Sequence, residues 1–118
     1  MLKSKASIMG LSAVLACPFL PLPVHAGDTG LASMHDWQKV GRKTCLVDHY
    51  HAGSGEGPSK RAARKAAIAD WEGFTAFEYG TDWARFRSAA NRGVVYEKTA
   101  KGWSANIEAR PCRRRSRR

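Results

Sequence analysis

The sequence is poor in acidic residues, in cysteine and in long apolar runs. Ten Asp and Glu stand against 20 Lys and Arg among its 118 residues, which gives a formal net charge of +10. Only three residues are cysteine, and the absence of a C-x-x-C motif argues against a redox-active thiol pair. The one apolar run lies near the N-terminus, which excludes a polytopic membrane protein. The length fits one small domain and excludes a large multidomain enzyme.

The first 26 residues have the layout of a secretory signal peptide. A positive start precedes an apolar run from Ile8 to Leu20, and Val24-His25-Ala26 offers a cleavage point with small residues. We therefore predict that residues 1–26 are removed and that the protein is periplasmic or secreted. The four residues ending in Cys17 also resemble a lipobox, so a lipoprotein anchored at Cys17 is the alternative. The apolar residues that follow Cys17 argue against it.

Removal of the signal peptide leaves an even pair of cysteines, Cys45 and Cys112. Such a pair in an oxidising compartment predicts a disulfide. The bridge would close a long loop, and loop entropy gives it about 4 kcal/mol of stabilisation. A domain of this size buries a modest share of its surface, so the bridge would matter for its stability.

Hydrophobic periodicity predicts an α+β domain over residues 37–112, between a flexible leader (27–36) and a basic, arginine-rich tail (113–118). The predicted order is strand, helix, helix, strand, strand: 42–50, 60–79, 81–91, 94–99 and 103–109. Ser59 is placed to cap the first helix, and the last two strands should form a hairpin. The simplest packing is a small three-stranded antiparallel sheet with one or two helices on one face. The aromatic residues predicted for the core are Trp71, Phe74, Phe77, Trp83, Phe86 and Trp103.

A basic helix start follows a glycine-rich stretch. Cations in the first turns of a helix oppose its dipole, whereas Asp or Glu there would stabilise the helix. Backbone N–H groups, a glycine loop and basic side chains together suit an anion, although the spacing is not that of a Walker A loop. The predicted anion site comprises Gly53, Gly55, Gly57, Ser59, Lys60, Arg61, Arg64 and Lys65. The alternative is a solvated helix end that serves solubility.

Part of this stretch resembles the start of the last helix in double-stranded RNA-binding domains. The resemblance rests on residues 55–61, followed by Ala66-Ala67-Ile68. It implies phosphate contacts by Lys60, Arg61 and Arg64. It covers about 14 residues, and here strands are predicted after the helix, where that family's domain ends, so the resemblance indicates local convergence.

A broader set of residues resembles small exported proteins of alphaproteobacteria that have no assigned activity. The set is Lys43-Thr44-Cys45, His49-x-His51, Gly53-x-Gly55-x-Gly57, Ala66-Ala67-Ile68, Trp71, Glu78-Tyr79-Gly80, Trp83 and Ala109-Arg110-Pro111-Cys112. The resemblance covers most of residues 37–113. It implies a common small disulfide-bonded domain and transfers no catalytic residue.

His49 and His51 form the one pattern typical of a metal ligand pair. Spaced two apart on a predicted strand, they point to one face and can bind Zn²⁺, Cu²⁺ or Ni²⁺ if a third ligand is supplied. His35 and Asp48 are candidates for that ligand. The alternative is a pair of polar residues at a strand end.

The basic charge and the lack of a recognisable catalytic arrangement favour a binding protein over an enzyme. We assign no catalytic residue and no cofactor. The first hypothesis is an exported domain that binds polyanions such as lipopolysaccharide phosphates, anionic lipid head groups or an acidic protein. The second is a metal-binding or enzymatic envelope protein using His49 and His51. The third is nucleic-acid binding through the basic helix start, which export disfavours. No transmembrane helix is expected after signal removal.

Overall fold

One long helix and six strands make up most of residues 27–114, the range that the computed structural model describes. The helix, α1, spans Lys60–Tyr79. The strands are β1 (Trp37–Val40), β2 (Lys43–Leu46), β3 (His51–Gly57), β4 (Ala90–Thr99), β5 (Gly102–Arg110) and β6 (Cys112–Arg114). The predicted α+β class is confirmed, but the strands form two antiparallel sheets of three, in the orders β1-β2-β6 and β3-β5-β4. The predicted signal peptide and the lipobox at Cys17 lie outside the described residues.

Helix α1 forms as its sequence predicts. The Ser59 hydroxyl accepts a hydrogen bond from the Ala62 N–H at 3.1 Å, which caps the first turn. The buried side chains recur every fourth residue along one face: Ala63, Ala67, Trp71, Thr75 and Tyr79. Gly80 then takes a φ of 98°, which ends the helix in a conformation that favours glycine.

The second helix predicted over 81–91 is wrong. Two short 3-10 turns, Thr81–Trp83 and Phe86–Ser88, fill this segment, and β4 begins at Ala90. Glu72 on α1 accepts a hydrogen bond from the Phe86 N–H at 3.0 Å, which holds the segment across α1. Trp83 and Phe86, whose spacing predicted a helix, are buried, but the backbone that carries them forms 3-10 turns.

The predicted glycine loop is a strand, β3, packed directly beneath α1. A Cβ added to Gly53 would lie 2.5 Å from the Ala67 carbonyl oxygen, and one added to Gly55 would lie 2.3 Å from the Ala67 nitrogen. At Gly57 it would lie 2.7 Å from the Ala62 Cβ. These glycines let a strand and a helix approach closely. They therefore do not form a loop that could cradle an anion.

Strand β5 is the centre of the β3-β5-β4 sheet and carries its core face. Ala105, Ile107 and Ala109 are buried, and together with Trp71 they belong to the core under α1. The predicted hairpin of the last two long strands is confirmed, with Thr99 paired to Gly102 at its turn.

The second sheet carries the disulfide that was predicted. Cys45 on β2 is paired in register with Cys112 on β6, and the two are bonded across 67 positions. Arg113 and Arg114, assigned to the tail by the sequence, belong to β6 and pair with β2. The rest of the tail, 115–118, lies outside the described residues.

The segment predicted as a flexible leader, 27–36, contacts the domain. The Thr29 N–H donates to the Tyr79 carbonyl at 3.0 Å, and Ala32 is fully buried beside Leu46. A 3-10 turn spans Leu31–Met34. These contacts make the segment part of the folded unit.

Two of the six aromatic residues predicted for the core are on the surface. Phe74 is 51% exposed and Phe77 is 85% exposed, because they lie off the buried four-residue stripe of α1. Trp71, Trp83 and Phe86 are buried as predicted, and Trp103 is half-buried.

Candidate metal centre

Three of the histidines meet at the C-terminal end of α1, where the two sheets adjoin. Asp48 takes a positive φ of 49°, so the chain turns between β2 and β3 instead of continuing the predicted strand to residue 50. His49 lies in this turn, and His51 is the first residue of β3. The last turn of α1 supplies Glu78 and Tyr79 to the same place.

The ligand-type atoms of this cluster lie within contact distance. His49 Nε2 is 3.1 Å from His51 Nε2, and His51 Nε2 is 3.0 Å from a carboxylate oxygen of Glu78. One ligand atom from each of the three residues lies within 4.8 Å of the others. His51 is buried, whereas His49 and Glu78 are half-buried, so the cluster is open to solvent on one side.

Two neighbours orient the histidine rings. His51 Nδ1 lies 2.9 Å from the hydroxyl of Thr75, which is fully buried on α1. The hydroxyl of Tyr79 is 2.7 Å from His49 Nε2 and 3.0 Å from His35 Nε2. The rings of His35 and His49 are also in contact, with centroids 4.3 Å apart and planes tilted by 38°. The Tyr79 hydroxyl thus connects His35 to the cluster of His49, His51 and Glu78.

His49 and His51 favour their neutral form. Burial lowers the pKa of His51, and this effect outweighs the neighbouring carboxylate of Glu78, which acts in the opposite direction. Burial also lowers the pKa of His49, assisted by the nearby His35. The lowered pKa thus favours a neutral ring for His51 beside Glu78. Neutral imidazole is the form that coordinates metal ions.

The position of the cluster on the helix also favours a cation. The C-terminus of a helix carries about half a negative charge, and α1 has no basic residue in its last turn. Glu78 adds a full negative charge there. Burial raises the pKa of Tyr79, with Glu78 adding to the shift, so the phenol stays protonated as a hydrogen-bond donor.

Of the metal ligands suggested by the sequence, His49 and His51 are brought together and Asp48 is not. Asp48 is exposed and forms the turn. Glu78 was missed as the third ligand, because nothing in the spacing of residues 49 and 78 indicates contact. One signal was available: an acidic residue in the last turn of a helix opposes the dipole and suggests a bound cation.

The eight residues predicted as an anion site have different roles in the fold. The glycines are buried or half-buried beneath α1, and Ser59 is the helix cap. The ammonium of Lys60 lies over the rings of Tyr96 and Trp103 in the β3-β5-β4 sheet. The guanidinium of Arg64 lies over Phe86, in the 3-10 turn that precedes β4. All four cations, Lys60, Arg61, Arg64 and Lys65, are exposed. Lys60 and Arg64 thus lie towards aromatic rings, and the binding of an anion by the four cations together stays a prediction.

A scan against protein-family models, a search of curated proteins and a search of solved structures each returned no match. The two resemblances drawn from the sequence stay predictions. No helix within residues 27–114 is long and apolar enough to span a membrane.

Proposed function

We propose that this domain binds a divalent transition metal ion, with zinc the best fit, through His49, His51 and Glu78. The observation that carries the proposal is the convergence of three ligand atoms, from a turn, a strand and a helix end, within 4.8 Å. Export to the bacterial envelope, which we also propose from the N-terminal sequence, is consistent with the disulfide, since such bonds persist in oxidising compartments.

The distances in the cluster suit tetrahedral zinc. With zinc-to-ligand distances of about 2.0–2.1 Å, two ligand atoms of a tetrahedral site lie about 3.3 Å apart. The measured separations are 3.1 Å between the two Nε2 atoms and 3.0 Å from His51 Nε2 to Glu78. The third separation, between the ligand atoms of His49 and Glu78, is at most 4.8 Å, so zinc binding would require these side chains to rotate towards a common centre. Cu²⁺ and Ni²⁺ accept the same ligands, and Cu²⁺ generally binds more tightly than zinc.

The ligand set also fits the class of zinc site that has three protein ligands. Two histidines and one glutamate leave a fourth position, which water or another ligand fills. The half-buried His49 and Glu78 give that position access to solvent. His35 and the Tyr79 hydroxyl lie next to it and are the groups best placed to contact a ligand there.

Thr75 supplies the partner that a metal-bound His51 needs. When Nε2 coordinates a metal, the single ring proton resides on Nδ1 and must be donated to an oxygen. The Thr75 hydroxyl lies 2.9 Å from that nitrogen. Binding of zinc would thus fix His51 in the tautomer that donates to Thr75.

We expect one zinc ion to bind per molecule of residues 27–118 at pH 7.5, measured by titration calorimetry after treatment with a chelator. His51→Ala and Glu78→Gln should each lower the affinity at least tenfold, because each removes one of three ligands. Glu56→Gln is the matched control, since Glu56 is an exposed acidic residue on β3 away from the cluster. No saturable binding by the wild type, or equal loss in all three variants, would refute the site.

Thr75→Val tests the orientation of His51 without removing a ligand. Valine has the shape of threonine but cannot accept the Nδ1 proton, so zinc affinity should fall about 10- to 100-fold. The variant should still bind one ion, unlike a ligand deletion. Competition against a chromophoric chelator would measure the change. An unchanged affinity would show that His51 does not coordinate through Nε2.

A further inference from the structure

A second set of residues, away from the histidines, pairs basic side chains with aromatic rings. From α1, the Lys60 ammonium lies 4.7 Å from the centre of the Trp103 ring and 5.5 Å from that of Tyr96. One helical turn later, the Arg64 guanidinium lies 5.9 Å from the centre of Phe86. Lys60 and Arg64, two of the four cations at the start of α1, thus contact aromatic rings that lie outside the helix.

Strand β4 contributes a second cation to two of these rings, Trp103 and Phe86. The Lys98 ammonium lies 5.2 Å from the centre of Trp103, and the Arg92 guanidinium lies 5.9 Å from the centre of Phe86. Two like charges therefore share each ring, one from α1 and one from β4. We call this surface the basic groove and define it by Lys60, Arg64, Arg92, Lys98, Phe86, Tyr96 and Trp103.

The register of the sheet explains why the groove lies beside α1. Tyr96 and Lys98 on β4 pair with Ala105 and Trp103 on β5, so their side chains share the face that α1 covers. Strand β4 is the outer strand of that sheet. The cations of α1 and those of β4 therefore approach the same rings from two sides, one on the helix and one on the strand.

The four cations have no carboxylate partner among residues 27–114. The ion pairs of that range join His51 to Glu78 and Arg113 to Asp28, and neither uses a cation of the groove. Like charges placed in pairs repel each other, and Lys60 and Arg64 additionally oppose the dipole of α1. A bound anion would relieve both effects.

We propose that the basic groove binds phosphate groups carried by a lipid head group or by a soluble polyphosphate. Two guanidinium groups can hold phosphate oxygens as forks, and two ammonium groups add point charges. Phosphate chemistry fits better than base recognition, because Phe86 is buried and the Trp103 ring is already covered by lysines. Free aromatic faces are what single-stranded nucleic acids require. The groove shares no residue with the metal centre, so it stands independently of the proposed function.

Two charge reversals on the same helix provide the test. Lys60→Glu with Arg64→Glu alters the groove, whereas Arg61→Glu with Lys65→Glu makes the same charge change beside it. The probes are vesicles of phosphatidylcholine with and without phosphatidic acid, and tripolyphosphate in solution, each at about 0.15 M salt, where distant charges are screened. We expect at least a tenfold loss of binding for the groove pair and at most about a twofold loss for the control pair.

A second variant guards against misfolding of the first. Arg92→Gln with Lys98→Gln removes the groove cations on β4 without touching α1, and it should also lower binding at least tenfold. Binding to the acidic vesicles, to tripolyphosphate or to both supports the proposal and identifies the source of the phosphate. Equal losses in the groove pair and its control, no binding by the wild type, or tighter binding of single-stranded DNA than of either probe would overturn it.

Discussion

Gly55→Ala is expected to destabilise the domain by more than about 3 kcal/mol, enough to lower its melting temperature by more than about 10 °C. The new Cβ would lie 2.3 Å from the Ala67 nitrogen and 2.6 Å from the Ala66 carbonyl carbon. Both atoms are helix backbone and cannot rotate away. Strand β3 and helix α1 would have to separate, which would open the core around Trp71.

Gly73→Ala is the matched control and should have the opposite sign. Gly73 lies on the exposed side of α1, where a Cβ would meet nothing within 4 Å. Alanine there should stabilise the helix by about 0.5–1 kcal/mol. Thermal unfolding followed by circular dichroism compares the two variants with the wild type. If Gly55→Ala melts within a degree or two of the wild type, residues 53–57 are not packed under α1 and an open glycine loop becomes tenable again.

Loss of the disulfide should have an effect of similar size. The bridge joins Cys45 to Cys112 across 67 positions and ties β2 to β6. Loop closure of that length is worth about 4 kcal/mol, which corresponds to a fall of roughly 20 °C in melting temperature for a domain of about 90 residues. We expect this fall for the double variant Cys45→Ala with Cys112→Ala, measured against the oxidised wild type.

Reduction of the wild type controls for the lost sulfur atoms. Reduced wild type and the double variant should melt at similar temperatures, because both lack the closed loop. Titration of the protein, purified without reductant, with a thiol reagent should detect no free thiol at these positions. Two reactive thiols, or a double variant as stable as the oxidised wild type, would contradict the assigned role of the bridge.

The parts of the fold that follow from local chemistry could be read from the sequence. Ser59 is a favourable helix cap, and the four-residue period from Ala63 to Tyr79 places one face of α1 in the core. The alternation from Trp103 to Ala109 likewise predicts a half-buried strand. The two cysteines that remain after removal of the predicted signal peptide predicted the bridge. In each case, the residues that decide the structure are neighbours along the chain or form the sole pairing available.

The parts that depend on contact between distant segments could not be read. Three alternate glycines are typical of a loop when taken alone, and only the path of α1 above them makes a glycine strand favourable. The candidate metal centre likewise depends on contact between distant segments of the chain. His49 and His51 were visible as a pair, but Glu78 and Thr75 join them only because the end of α1 meets the start of β3.

The charges of α1 run against its dipole at both ends, with Lys60 and Arg64 at the start and Glu78 at the finish. Twenty helical residues set these ends about 30 Å apart, several times the screening length of about 8 Å at physiological salt. A charge bound at one end therefore interacts only weakly with a charge bound at the other end. Helix α1 thus separates the proposed cation site from the proposed phosphate site, and if both exist, one small domain could hold two ligands of opposite charge at once without competition between them.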